Sequence, residues 1–186
     1  MPKLIFHARS MNRMDLVFYV YKKISLKSQT REKRGEGIRI SVRKNTPIYK
    51  DFTKFMRNDN NKTELFKMVS ETAVSIPEGL TTVITTVEDK VISNADVDKS
   101  NIEPCNHEAA DTRLLLHVPD GARSGIKKIS IVTVDTDVVV IALQHFFSLN
   151  IEELWIQFGV GKSRRFIPVN KYAKMMGNDL CRSLTF

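Results

Sequence analysis

The chain has 186 residues, 42% hydrophobic and 27% charged, ordinary values for a soluble globular protein long enough to bury a core. Two cysteines, Cys105 and Cys181, exclude a disulfide framework, and Gln144 and His145 interrupt the Val138–Phe147 run short of membrane-spanning length. Residues 1–50 carry 13 Lys/Arg against three acids, net +10; with the whole chain at +8, the remainder is net −2.

That asymmetry is the electrostatic footprint of a nucleic-acid partner, DNA or RNA, or else a solvated basic face. Two cysteines with no disulfide framework and no paired zinc spacing point to an intracellular protein, nuclear or cytoplasmic. The N-terminal stretch is too short in apolar residues for a secretory signal. No membrane contact and no small-molecule cofactor are expected.

Asp15–Tyr21 is β-branched and aromatic and predicts a strand. Ser25–Arg34 predicts a helix with Ser25 as N-cap, on which Lys27, Arg31 and Arg34 share one face able to track a phosphate backbone. Lys22, Lys23, Arg39, Arg43 and Lys44 extend this basic surface, the last three in a loop over 35–48 with a short strand at Arg39–Val42. Asp51–Arg57 predicts a short helix. A longer one opens at Asn61 or Thr63, with Leu65, Phe66, Val69 and Ala73 as its apolar face and Pro77 and Gly79 as its stop.

Thr81–Val87 reads as a strand, Lys90–Ile92 as an edge piece and 93–104 as a loop. His107–Val118 predicts a helix closed by a Pro119-Asp-Gly-Ala turn. The strand from Ile126 to Val134 is apolar enough to be buried on both faces, and Asp135 and Asp137 follow it. Then come a helix over Val138–Leu149, strands at Leu154–Phe158 and Arg165–Val169, and a helix over Lys171–Met176. Alternating strands and helices predict one α/β domain with a mostly parallel central sheet flanked by helices. Its basic segment is 1–50 and its acidic core 105–170.

Glu108 and Asp111 lie three apart on a predicted helix, so their carboxylates share a face. Asp135 and Asp137 would share a side of the strand if it persisted that far. Gathered together, these four acids would repel unless divalent cations lay between them, and hard oxygen donors suit Mg²⁺ or Mn²⁺. A pair of such ions, roughly 3.5–4 Å apart, activates water against a phosphodiester. A second reading stays open: all four acids sit at helix starts, where carboxylates cap free N–H groups. Cys105, His107 and His117 lack zinc-ligand spacing. Gly159-Val-Gly-Lys-Ser163 lacks the leading glycine of a phosphate loop, Ile156 standing there, and predicts a hairpin turn.

Leu16-Val-Phe-Tyr-Val-Tyr21, followed by Ser25-Leu-Lys and Arg31…Arg34, resembles the strand and basic helix of the flap endonuclease/XPG type of PIN-like domain. His107-Glu-Ala-Ala-Asp-Thr-Arg113 and Val134-Asp-Thr-Asp137 are similar to that family's acidic helix and Asp-x-Asp strand end. From about residue 13 to 178 the chain also resembles mobile-element-associated invertebrate proteins reading His-Glu-Glu-Ala-Asp-Thr-Arg, Thr-Val-Asp-Thr-Asp-Val-Val-Val and Leu-Trp-x-x-Phe-Gly-x-Gly-Lys. The resemblance implies a Rossmann-like three-layer nuclease fold. In it Glu108, Asp111, Asp135 and Asp137 are metal ligands and catalytic groups, and Lys27 and Arg34 lie near the scissile phosphate.

The departures imply impaired chemistry. Tyr19 replaces the aspartate of the family's Val-Phe-Asp, and Ala109 replaces the second glutamate of the acidic helix. An earlier aspartate-bearing strand and a later Gly-Cys-Asp are missing from both flanks. The expectation is therefore a nucleic-acid-binding domain of nuclease descent with weak or no cleavage. Two alternatives are an Mg²⁺/Mn²⁺ nuclease completed by unseen sequence, a partner chain or Asp15, and a protein-interaction relic of a mobile element.

Overall fold

The computed structural model describes residues 10–21, 37–77, 79–105 and 107–184. The basic helix expected over Ser25–Arg34, with Lys22, Lys23, Lys27, Arg31 and Arg34, lies outside them. The chain divides into two compact units, Met1–Ala110 and Asp111–Phe186.

In the first unit, β1 (Arg13–Leu16) pairs in parallel with β2 (Thr82–Val87), Arg13 opposite Thr82 and Leu16 opposite Thr85. Parallel neighbours need a long crossover, and here it contains α1 (Phe52–Phe55) and α2 (Asp59–Ala73). Asp51 caps α1 by accepting from Lys54 N at 2.9 Å, and Asn58 caps α2 by accepting from Asn61 N at 3.2 Å. Ala73 and Ile76 pack with Val83, flanked by Met14, Leu16 and Val74. Where α2 meets β2, Ser70 Oγ lies 2.8 Å from Thr85 Oγ1, so the buried hydroxyls satisfy each other. β3 (Lys90–Ser93) returns antiparallel to β2 through a tight turn in which Glu88 takes φ 55°.

Asn61, fully buried, organises the crossover. Its amide nitrogen donates to Ile38 O at 2.7 Å and Phe55 O at 3.0 Å, and its amide oxygen accepts from Ile40 N at 2.9 Å. The strand expected at Arg39–Val42 is therefore replaced by irregular chain whose polar groups bond to side chains of α2. Gly37 makes this seat possible, since a Cβ there would lie 2.6 Å from Lys54 O.

The second unit runs α3 (Ala110–Arg123), β4 (Lys128–Thr133), α4 (Thr136–His145), a 3₁₀ turn at Phe146–Ser148, and β5 (Glu153–Phe158). A further 3₁₀ turn at Gly161–Ser163 leads to β6 (Arg165–Pro168), α5 (Val169–Met176) and α6 (Asn178–Arg182). β4 and β5 are parallel, and β6 is antiparallel to β5. Val138, Ala142, Leu154, Ile156, Val169 and Ala173 form the centre of a core that Val118 and Ile131 join.

The α/β class holds, but the sheet organisation differs from expectation. In place of a mostly parallel central sheet there are two three-stranded mixed sheets, ordered β1-β2-β3 and β4-β5-β6. Each gains its antiparallel strand from a short hairpin. The turn expected at Pro119-Asp-Gly-Ala is helix instead: α3 passes through Pro119 to Arg123. Proline removes one N–H and disfavours continuation, yet Val118 and Gly121 on either side of it are buried, Gly121 within reach of Ile129 Cδ1. α4 starts at Thr136, two residues before the expected Val138, and β1 stops at Leu16, short of the expected Tyr21.

Candidate metal centre

β4 ends at Thr133, so Asp135 and Asp137 do not share a strand face. Asp135 has extended backbone (φ −94°, ψ 125°) and is the N-cap of α4, its Oδ1 accepting from Asp137 N at 3.0 Å. Its own N–H donates to Thr133 Oγ1 at 3.0 Å, which fixes the turn off the strand. Asp137 stands in the first turn of α4 and Asp111 in that of α3.

Asp111, Asp135 and Asp137 each place a carboxylate oxygen within 4.8 Å of the others. Asp111 and Asp135 are half-buried and Asp137 is exposed. At such separations like charges repel one another. Two helix N-termini meet these carboxylates, and their positive ends offset part of the repulsion. The capping role is thus real for Asp135, and it coexists with convergence. One oxygen stays unserved: Asp111 Oδ1 is buried without a hydrogen-bond partner. A cation between the acids would satisfy it. The donor set is all hard oxygen, and no histidine or cysteine joins it among the described residues, which fits Mg²⁺ or Mn²⁺ in kind.

Three of the four expected acids therefore come together. Glu108 belongs to the first unit, where its carbonyl oxygen accepts from Val20 N at 3.1 Å. Asp15 is held by Arg13, whose Nε and Nη2 reach its two carboxylate oxygens at 2.8 Å each.

Among the described basic residues, Arg39 is engaged internally. Its guanidinium pairs with Glu64 and donates to Asn61 Oδ1 at 3.0 Å. The Arg39 hydrogen bond, then that from Val42 N, holds the Glu64 carboxyl below its ordinary range. Arg43 and Lys44 are exposed on a turn closed by Thr46 N donating to Arg43 O at 2.8 Å. The Gly159–Ser163 segment is the hairpin turn expected, with Gly159 at φ 87°.

Sequence reasoning misses the aromatic cluster of Phe18, Tyr21 and Phe66 in the first unit. Phe66 reads from sequence as part of a helix face and the other two as strand residues, and no spacing rule joins positions so far apart in the chain. Comparison with family models, curated proteins and solved structures finds no match. No helix among the described residues is long and apolar enough to cross a membrane.

Proposed function

We propose that the chain is a nucleic-acid-binding domain of PIN-like, flap-endonuclease-related descent whose acid cluster binds a single Mg²⁺ or Mn²⁺ weakly. The observation that carries this reading is the convergence of Asp111, Asp135 and Asp137 around a buried, unpartnered Asp111 oxygen. The +10 charge of residues 1–50 supports a polyanionic partner.

Asp111 and Asp135 would hold the ion, with Asp137 at the solvent side. When bound, it supplies Lewis-acid polarisation of a phosphate oxygen. The chain's own groups restrict the chemistry beyond that. Asp135 divides its carboxylate between the cluster and the α4 cap. Tyr19 offers a phenol, neutral near pH 7, at the position where the resemblance calls for an acid. Binding with slow or absent cleavage is the outcome this set of groups supports. The internal pairing of Asp15 with Arg13 counts against the active alternative that recruits Asp15.

The test is a Mn²⁺ titration followed by electron paramagnetic resonance, alongside cleavage of a labelled flap and single strand. Binding of Mn²⁺ that Asp111→Asn abolishes supports the reading. No Mn²⁺ binding leaves the acids as helix caps and removes the metal from the proposal. Rapid cleavage abolished by Asp135→Asn would replace it with an active nuclease.

A further inference from the structure

The β4-β5-β6 sheet of the second unit buries one face and leaves the other open. Ile129, Ile131, Leu154, Ile156 and Ile167 meet the core residues of α3, α4 and α5. Side chains alternate along a strand, so Val132, Trp155, Gln157 and Phe166 stand on the opposite face. The register sets Val132, Gln157 and Phe166 in one row across the three strands. Val132 is 68% exposed and Phe166 62%, so nothing in the chain covers this row. The Phe166 ring meets no other ring and no cation among the described residues, which leaves its π-face free.

Charge decides what such a face accepts. Residues 154–178 hold five Lys/Arg and no acid. Arg164 reaches the open face, where the Gln157 amide oxygen accepts from its Nε at 2.9 Å and its Nη1 at 3.1 Å. Lys162 is exposed on the turn between β5 and β6. At the other end of the face Lys128 and Glu153 pair at 2.7 Å, so no acid there stands uncompensated. A second copy meeting this face with its own would bring only more of the same charge. A single strand of nucleic acid answers both features, with π-faces for the ring and phosphates for the cations. Aromatic side chains on an open sheet face are a recurrent platform for unpaired bases.

The face also leads towards the acids. Gly159 N donates to Thr133 O at 3.0 Å, so the basic turn and the chain entering Asp135 leave the same rim of the parallel β4–β5 pair.

We propose that this open face binds single-stranded nucleic acid, with one base stacked on Phe166 and the backbone held by Arg164 and Lys162. The inference rests on the nucleic-acid reading above and gives it a surface outside residues 1–50.

Trp155, the chain's one tryptophan, stands on the same face and reports on its occupancy. The probe is a labelled oligothymidylate about ten nucleotides long, titrated with the full chain and read by anisotropy and by Trp155 fluorescence. Binding should quench Trp155. Phe166→Leu should weaken binding about tenfold, and Phe166→Tyr, which keeps the ring, should restore it. Lys162→Ala/Arg164→Ala should reduce the slope of log affinity against log salt by about 1.4. A base-free strand of equal length should compete at least tenfold less well. All three positions are exposed, so their variants leave the core intact. Binding that leaves Trp155 unchanged and ignores Phe166→Leu lies elsewhere; it overturns this face and spares the nucleic-acid reading. Equal competition by the base-free strand overturns the stacking. No binding at all overturns both readings. Self-association abolished by Phe166→Ser would give the face to a second copy and overturn the proposal.

Discussion

The Oδ1 of Asp135 accepts the backbone N–H of Asp137 at 3.0 Å, so one carboxylate of the acid cluster also starts α4. Two roles on one side chain can be separated by substitution. Asparagine keeps the accepting oxygen and removes the charge; alanine removes both. Asp135→Ala should cost about 1 kcal/mol of stability through the lost cap, and Asp135→Asn only a few tenths. Both should weaken Mn²⁺ binding. Equal stability losses in chemical denaturation would show that the cap is not what Asp135 contributes.

Asn61 satisfies backbone groups of Ile38, Ile40 and Phe55 from a fully buried position. Asn61→Ala strands those groups, and each unsatisfied buried polar group costs about 1–3 kcal/mol. A total loss of roughly 2–4 kcal/mol is expected, together with faster hydrogen exchange at the Ile40 amide. A loss below about 1 kcal/mol would mean that water replaces the amide readily.

Gly159 sits at φ 87°, and a Cβ there would lie 2.9 Å from Ser163 O. Gly159→Ala therefore meets both backbone strain and a backbone clash. A loss of about 1–3 kcal/mol is expected, read as a lower melting temperature. Gly125→Ala shares the positive φ but meets nothing within 4 Å, so it should cost less.

Glu64 has its carboxyl pKa lowered by Arg39 and by the Val42 amide. A depressed folded-state pKa adds stability that is present above the unfolded carboxyl value and lost as pH falls through the folded one. The pair is solvent-exposed, so the contribution is small, about 0.5 kcal/mol. Glu64→Gln should be less stable than the parent at pH 7, and the two should converge as pH falls below the ordinary carboxylate range. A difference that persists undiminished in acid would rule out the ion pair as its source.

The strands at Thr82–Val87, Lys128–Thr133 and Glu153–Phe158 are legible in the sequence because β-branched runs between turn residues have few other uses. The Gly159–Ser163 hairpin is legible from the strand-like Arg165–Ile167 after it. The course of α3 is not: Pro119, Asp120 and Gly121 carry turn chemistry locally, and only burial of Val118 and Gly121 keeps the helix running. Sheet order is equally hidden, since strand periodicity carries no information about which strands become neighbours. At the site, the acids' residue types are legible. The convergence of Asp111 on Asp135 and Asp137 depends on two helix starts meeting. Asn61 gives no signal, standing in an asparagine-rich run that reads as an ordinary helix start.

Arg43 and Lys44 offer a test of the basic surface. Arg43→Ala/Lys44→Ala should lower single-strand affinity across sequences and reduce the slope of log affinity against log salt by roughly 1–2, about 0.7 for each phosphate no longer neutralised. An unchanged slope would place the phosphate-binding cations elsewhere.

The seat of residues 38–42 on α2 bears on those same cations. Asn61 and Glu64 grip the chain immediately before Arg43, and Thr46 closes the turn after it. The two charges are thus presented from preorganised backbone, whose ordering cost is met during folding and not at the encounter with a ligand. Calorimetry should find that loosening this seat with Glu64→Gln makes association entropically more costly, although Glu64 itself carries the wrong sign of charge to touch a phosphate.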